Sequence, residues 1–90
     1  MDVTVEWNPV KNAALKERDG FGFERILVAI AEGKLLDEHA HPNVRRYAHQ
    51  RQYVVEIDGY AWVVPFVVDG DSIFLKTLFP SRTATKQYLG

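Results

Sequence analysis

The apolar segment Tyr60–Val68 is the sequence feature that most constrains the fold of this chain. A run that is apolar on both faces is typical of a central strand covered on both sides. Asp58-Gly59 comes directly before it and favours a type I′ hairpin turn, which predicts an antiparallel partner strand at Gln52–Ile57. Pro65 has no amide hydrogen to donate, so we expect either a bulge or a missing hydrogen bond there.

Two more strands are expected, one near each end of the chain. Val3, Val5 and Trp7 alternate with polar residues, a pattern that predicts a half-buried strand. Ser72–Phe79 is expected to be the last strand, to end at Pro80 and to complete an antiparallel meander. Because helices follow the first strand, that strand must join the sheet beside one that is distant in sequence.

The first helix is expected directly after the first strand. Asn8 and Pro9 are residue types that suit the N-cap and the first position of a helix, and this helix is expected to run to about Arg18. Ala13 and Ala14 are expected to face inward.

The second helix carries the clearest apolar stripe in the sequence. It is expected from about Phe23 to Glu32, and the residues that repeat with helical spacing are Phe23, Ile26, Leu27 and Ile30. Gly33 follows as the expected residue after the helix end. Ser81 is expected to cap a short final helix through Tyr88. The helices are expected to pack their stripe on one face of the sheet.

The polar segment Leu35–Gln50 is expected to be the longest loop. Its pattern is irregular, and Pro42 argues against regular structure. It holds all three histidines and two of the arginines. Long loops in compact domains often carry function, so catalytic candidates are sought here.

Length predicts a single domain over residues 1–90, and the order of expected strands and helices makes it α+β. The chain has 90 residues, of which 47% are hydrophobic, enough for one core. It has no cysteine, which excludes disulfides, a thiol nucleophile and thiolate metal sites. We see no secretory signal peptide, and the longest apolar run, Ala61–Val68, is too short to span a bilayer. A cytoplasmic location is therefore expected.

Charge is unevenly distributed along the sequence. The formal net charge of −1 divides into −3 for residues 1–40 and +2 for residues 41–90. Basic residues without any acidic ones occupy two stretches, His41–Val55 and Ser72–Gly90. If these stretches converge in space, they form a local positive surface. If they do not, the charges are scattered and solvated.

Three segments, taken in their order and spacing, resemble the BrnT-like toxins. Val5–Asn12 is similar to the start of that family, where an aromatic residue precedes Asp or Asn and a Lys and often an Asn follow. Gly20–Glu24 is similar to the family's Gly-x-x-Phe-Glu, and Arg82–Thr85 to its terminal Arg-x-Ala-Thr. Residues 41–51 keep the histidine and arginine types of the family's middle segment but lack its acidic residues.

The resemblance implies a RelE-like fold, with the order β-α-α-β-β-β and a short C-terminal helix. It also implies the toxin component of a type II toxin–antitoxin system that cleaves RNA, either free or on the ribosome. The implied partner is an antitoxin, a small DNA-binding protein. The alternative is a RelE-fold module that binds protein without cleaving RNA, and the near-neutral charge slightly favours that alternative.

Metal-independent RNA cleavage requires a base, an acid and cations near the phosphate. Histidine suits proton transfer and arginine suits phosphate oxygens, so the predicted catalytic residues are His49, Arg51 and Arg82, with His41 as a second choice for proton transfer. The predicted RNA-binding residues are Arg45, Arg46, Lys76 and Lys86. The aromatic residues expected in the core, rather than as a stacking platform, are Trp7, Tyr53, Tyr60 and Trp62. No metal ion or cofactor is expected.

Overall fold

A computed structural model describes residues 3–43, 45–46 and 49–90. The chain forms one sheet with helices on both faces. The strands are β1 (Thr4–Trp7), β2 (Leu35–Ala40), β3 (Gln50–Ile57), β4 (Tyr60–Asp69), β5 (Ser72–Leu75) and β6 (Phe79–Pro80). The helices are α1 (Pro9–Asp19), α2 (Phe23–Ala31) and α3 (Arg82–Tyr88). The expected mixed α+β class is confirmed.

The sheet has the order β1-β5-β4-β3-β2, and β6 also pairs with β4. β3, β4 and β5 form the expected antiparallel meander. β1 lies parallel to β5, from Thr4↔Ser72 to Trp7↔Leu75, so the prediction of a partner distant in sequence is confirmed.

Asp58 and Gly59 join β3 to β4 in the tight turn that their residue types predict. Their φ angles are 52° and 81°, and a type I′ turn requires positive φ at both central positions. Pairing runs without a shift from Ile57↔Tyr60 at the turn to Gln50↔Val67. The local turn chemistry therefore sets the register of the two central strands.

Pro65 lies where β4 changes its partner. Its carbonyl accepts a hydrogen bond from the Lys76 amide at 2.8 Å, so its nitrogen faces the same side. On that side β5 pairs from Phe66 onward and β6 pairs at Val63, which leaves Pro65 between the two ladders. The β3–β4 register is unshifted, so the structure has no bulge at Pro65. The missing hydrogen bond is the alternative that holds, because the nitrogen of Pro65 faces the gap between β5 and β6.

Two boundaries predicted from the sequence are wrong. Residues 35–40 of the expected long loop form β2, which pairs with β3, and only residues 41–49 connect the two strands. The register shifts between Leu35 and Asp37, and this irregularity removes the two-residue alternation by which a strand is recognised. The expected strand Ser72–Phe79 is interrupted after Leu75, because Leu78 turns into the core before β6 begins.

The helices begin where they were predicted to begin. The Asn8 side chain caps α1 by accepting from the amides of Val10 and Lys11 at 2.8 and 3.1 Å. The inward residues of α1 are Asn12 and Leu15, whereas Ala13 and Ala14 are exposed, so the prediction for the alanines is wrong. In α2 the predicted stripe is confirmed, with two residues buried and two half-buried: Phe23, Ile26, Leu27 and Ile30.

Alternation along β3 and β4 places apolar residues on both faces of the sheet. The main core lies under α1 and α2, and its buried members include Leu15, Phe23, Ile26, Val55, Val64, Phe66, Leu75 and Leu78. A smaller cluster of Val54, Ala61 and Ala84 lies under α3 on the opposite face. The prediction that all helices share one face is therefore wrong for α3. We call this second side of the sheet the α3 face.

Within the described ranges, no helix has both the length and the apolar character needed to cross a membrane.

Candidate functional site

The first two segments that resemble the toxin family fasten α1 to α2. The Asn12 amide group donates to both carboxylate oxygens of Glu24 at 3.0 Å, and its carbonyl oxygen accepts from the Phe23 amide at 2.8 Å. These bonds to Asn12 lower the pKa of Glu24, and the Lys16 ammonium 3.1 Å away contributes further. Asn12 and Glu24 therefore have a structural task, and Phe23 is fully buried in the main core.

The third segment resembling the family holds α3 on the sheet, except for Arg82. The Ser81 hydroxyl caps the helix by accepting from the Ala84 amide at 3.1 Å. The Thr85 hydroxyl donates to the Ser81 carbonyl at 2.8 Å and accepts from the Ala61 amide at 2.9 Å. Arg82 is exposed and has no side-chain hydrogen bond or ion pair within the described part of the chain. Its structural task is thus the least evident of the segment.

The C-terminal end of α3 is tied to β2 by one hydrogen bond. The Tyr88 hydroxyl donates to the Asp37 carboxylate, a bond that lowers the pKa of Asp37 and raises the pKa of Tyr88. Leu36 and Tyr88 pack beside the small cluster at the same place. α3 is therefore held at both of its ends.

Arg51 and Arg82, predicted to share a phosphate, are not brought together. Arg51 alternates with Tyr53 and Val55, which face the main core, and its Nε lies 3.1 Å from Glu38 Oε2. Arg82 begins α3 on the other face. The partner of Arg51 on β4 is Phe66. Pro80 of β6, two residues before Arg82, pairs with Trp62, which is four residues away along β4. At about 3.3 Å per strand residue, this is a separation of roughly 13 Å in addition to the thickness of the sheet.

His49 and Lys76, by contrast, border one continuous surface. A depression of about 420 Å³ is lined by His49, Val67, Val68, Asp69 and Gly70, and we call it the His49 depression. Its neighbour of about 340 Å³, the Glu6 depression, is lined by Glu6, Val67, Asp69, Ser72, Phe74 and Lys76. Val67 and Asp69 line both. Two of the predicted residues therefore approach the same group of side chains.

A third depression continues this surface toward α1. It encloses about 630 Å³ and is lined by Asn8, Val10, Lys11, Ala14, Phe74 and Lys76; we call it the Lys11 depression. Phe74 is 37% exposed and, with Lys76, belongs to both this depression and its neighbour. The Lys76 ammonium lies 5.8 Å from the centre of the Phe74 ring.

The remaining predicted RNA-binding residues are dispersed. Arg45 and Arg46 are exposed in the connection between β2 and β3, where the Arg46 amide donates to Asn43 Oδ1 at 3.3 Å. Lys86 is exposed on α3, one turn after Arg82. His41, the second choice for proton transfer, bonds through Nδ1 to the Asn43 amide at 3.0 Å. Val44, Tyr47 and Ala48 of this connection lie outside the described residues.

Sequence reasoning missed the carboxylates and the aromatic ring of this surface. Glu6 pairs with Phe74 across β1 and β5, and Val67 pairs with Phe74 across β4 and β5, so all three lie on the α3 face. The available signal was the alternation of Phe74 with Ile73 and Leu75, which both contact the main core. The core prediction for aromatic residues holds for Trp7, Tyr53 and Trp62, whereas Tyr60 is 36% exposed.

The surface combines an imidazole, two ammonium groups, two carboxylates and an exposed ring. Within residues 3–43, 45–46 and 49–90, no group of three or more side chains is placed to hold a metal ion. Comparison of the chain with protein-family models, with curated proteins and with solved structures finds no match. The structure therefore describes an α+β domain with a polar and aromatic surface formed by β1, β4, β5 and the start of α1.

Proposed function

We propose that this protein is the toxin component of a type II toxin–antitoxin system and cleaves RNA without a metal ion. The observation that carries the proposal is the pair of adjoining depressions that share Val67 and Asp69, one lined by His49 and the other by Lys76. Proton-transfer groups and a cation on one accessible surface are what cleavage of a phosphodiester requires. The resemblance of three segments to the BrnT-like toxins supports the same function.

The proposed reaction is attack by the ribose 2′-oxygen on the adjacent phosphorus. A base removes the 2′-hydroxyl proton, the new P–O bond forms, and the bond to the 5′-oxygen breaks as that oxygen gains a proton. The products are a 2′,3′-cyclic phosphate and a 5′-hydroxyl. His49 is assigned to proton transfer because imidazole titrates near neutral pH, and Asp69 is assigned as its carboxylate neighbour. Lys76 stabilises the charge that develops on the phosphate.

The arginines have different proposed roles. Arg82, together with Lys86 one turn later, contacts the RNA backbone from α3. Arg51 is engaged by Glu38 on the other face, so we assign it no step in the reaction. Arg45 and Arg46 remain predicted contacts to RNA beside His49. The antitoxin, a small DNA-binding protein, remains the predicted protein partner.

The charge of the whole chain bears on how the substrate is held. A net charge of −1 supplies little long-range attraction for RNA, since strong nucleic-acid binders are usually basic. Cleavage of RNA that is already held on the ribosome removes this difficulty, because the ribosome then provides the affinity. We therefore propose that activity is higher with ribosomes than with free RNA.

Growth arrest in bacteria provides the first test. We expect induced wild-type protein to arrest growth and Lys76→Ala and His49→Ala to relieve the arrest. Lys34→Ala is the matched control, because Lys34 is an exposed lysine at the end of α2, away from this surface. In extracts with ribosomes, fragments should end in a 2′,3′-cyclic phosphate. Independence of metal is tested on free RNA in excess chelator, since ribosomes need Mg²⁺ to stay assembled. Equal arrest by Lys76→Ala and wild type would contradict the assigned reaction surface.

A protein-binding module without catalysis is the second candidate. The observation in its favour is that Glu6 and Asp69 balance the charge of Lys76 and Lys11, which gives a mixed surface rather than a basic one. This candidate predicts no arrest and no RNA fragments from wild-type protein, with or without ribosomes. The same experiment therefore separates the two functions.

A further inference from the structure

We propose that the Lys11 depression is a nucleotide subsite, in which an unpaired base of RNA stacks on Phe74 while Lys11 and Lys76 hold the adjoining phosphate. This inference rests on the proposed function and specifies its substrate as single-stranded RNA. It also assigns a residue, Phe74, for which the motifs and the charge pattern gave no indication.

Phe74 is an exposed aromatic residue of the sheet that lines two of the depressions. Its neighbours Ile73 and Leu75 contact the main core, so the two-residue period of β5 turns the Phe74 ring to the α3 face. There it is 37% exposed, at the wall between two depressions. An exposed aromatic face on a sheet is a platform on which any base can stack, since every base has a π surface.

Charge divides the surface on the two sides of Phe74. The Lys11 depression is lined by two lysines and by no acidic residue. The Glu6 depression has Lys76 together with two carboxylates, Glu6 and Asp69. An anionic phosphate therefore fits the first side and acid–base chemistry fits the second. Because Lys76 lines both, one strand that crosses Phe74 is held on one side and cleaved on the other.

The lysines are available for this task. Among the described residues, neither Lys11 nor Lys76 forms an ion pair, whereas Lys16 on the same helix is engaged by Glu24. The Lys76 ammonium, 5.8 Å from the ring centre, is within the range of a cation–π contact. A base that stacks on the ring takes the place of this ammonium, which then pairs with the adjoining phosphate together with Lys11.

Unpaired bases are required because stacking uses the face of the base. In a duplex both faces are already covered by neighbouring base pairs, so the ring of Phe74 gains no contact. The subsite consequently favours single strands over duplexes of the same sequence. It makes no hydrogen-bond demand specific to one base, so we expect little sequence preference at this position.

The test is the binding of a short fluorescent 2′-O-methyl RNA, which lacks the attacking hydroxyl, measured by anisotropy. We expect Phe74→Leu to weaken binding by roughly fivefold to a hundredfold, the range that loss of one stacked base predicts. Phe74→Tyr should retain binding, because it keeps the ring. Tyr60→Leu, at an exposed aromatic residue beside the hairpin turn, should bind as wild type. Lys11→Ala should weaken binding and reduce its salt dependence.

Equal affinity of Phe74→Leu and wild type, or equal affinity for the single strand and its duplex, would overturn the subsite. The two proposals fail differently. Wild-type protein that binds the single strand through Phe74 but yields no fragments from unmodified RNA supports the subsite and removes the proposed reaction. Cleavage by wild type with unchanged binding by Phe74→Leu removes the subsite alone. No RNA binding, either by the protein alone or with ribosomes present, overturns the subsite in favour of a protein-binding patch.

Discussion

Replacing Gly22 by alanine should destabilise the protein through a single neighbour, Asn12. Gly22 is buried directly before α2, and a β-carbon placed on it would overlap Asn12 Oδ1 and lie 2.9 Å from Asn12 Cγ. The φ of Gly22 is −122°, which any residue adopts, so the cost is steric and not conformational. The Asn12 side chain must move, and it then releases the Phe23 amide and Glu24.

The magnitude follows from the bonds that are lost. A buried amide left without its acceptor costs about 1–3 kcal/mol, and a hydrogen bond to a charged group contributes about 1.5–3 kcal/mol when intact. Glu24 is exposed and regains water, so its share is small. We expect Gly22→Ala to lower the free energy of unfolding by about 2–3 kcal/mol. For a domain of this size this is a fall in Tm of roughly 10–20 °C.

A double-mutant cycle identifies the cause. Asn12→Ala alone should cost about as much as Gly22→Ala, since both remove the same bonds, and the double variant should cost little more than either. Thermal and urea unfolding of the four proteins measure this coupling. Gly20→Ala is the comparison, because Gly20 has a φ of 83° and no atom near the added carbon. Its cost of about 1 kcal/mol should be independent of Asn12. Additive costs for Gly22→Ala and Asn12→Ala would refute the reasoning.

Three further predictions concern the sheet and α3. Tyr88→Phe should lower stability at neutral pH. Because the bond lowers the pKa of Asp37 below its ordinary 3.8, the difference from wild type should vanish as the pH falls through that lowered pKa, measured by urea unfolding from about pH 7 to about pH 2. A difference that persists at the lowest pH would contradict this linkage. Phe66→Ala should cost about 3–5 kcal/mol in thermal unfolding, because Phe66 is 1% exposed and stacks on Tyr53 at 4.1 Å. Gly59→Ala should cost about 1 kcal/mol, since alanine at φ 81° is strained, and an unchanged Tm would speak against the type I′ turn.

Elements encoded by local chemistry were predictable, and those defined by distant contacts were not. The Asp58-Gly59 turn and the Asn8 and Ser81 caps act within a few residues, and each lies where its residue type predicts. The inward face of α1 was missed because Asn12 is buried where its side chain accepts a hydrogen bond from the amide of Phe23, eleven positions away. Ala13 and Ala14 are more apolar than Asn12 and were therefore expected to face inward, but both are exposed.

β2 and α3 illustrate the same limit. The segment Leu35–Ala40 is polar and contains a register shift, so its strand character comes from pairing with β3 and not from its own residues. α3 presents little more than Ala84 and Tyr88 to the sheet, too short a pattern to specify a face. α3 packs on the face of the sheet that carries Val54 and Ala61. Strand alternation places those two residues on that face.

The candidate surface was predictable by residue type more than by position. His49 and Lys76 were recognised from their chemistry, and the structure places them beside a common pair of side chains. The prediction for Arg51 was wrong about its face of the sheet. Arg51 lies two residues before Tyr53, which packs on the main core, so it faces the same side as Tyr53. Phe74 was hidden in an apolar run, where only the two-residue period separates an inward from an outward ring.

The parallel pairing of β1 with β5 delays the completion of the sheet until both strands have been synthesised. A ribosome makes Thr4–Trp7 well before Ser72–Leu75, the strand that receives it. Until β5 has been made, β1 has no strand to pair with, whereas the β3–β4 hairpin forms locally and early. A nascent chain cut short before residue 72 would therefore leave one border of the domain without its outermost strand.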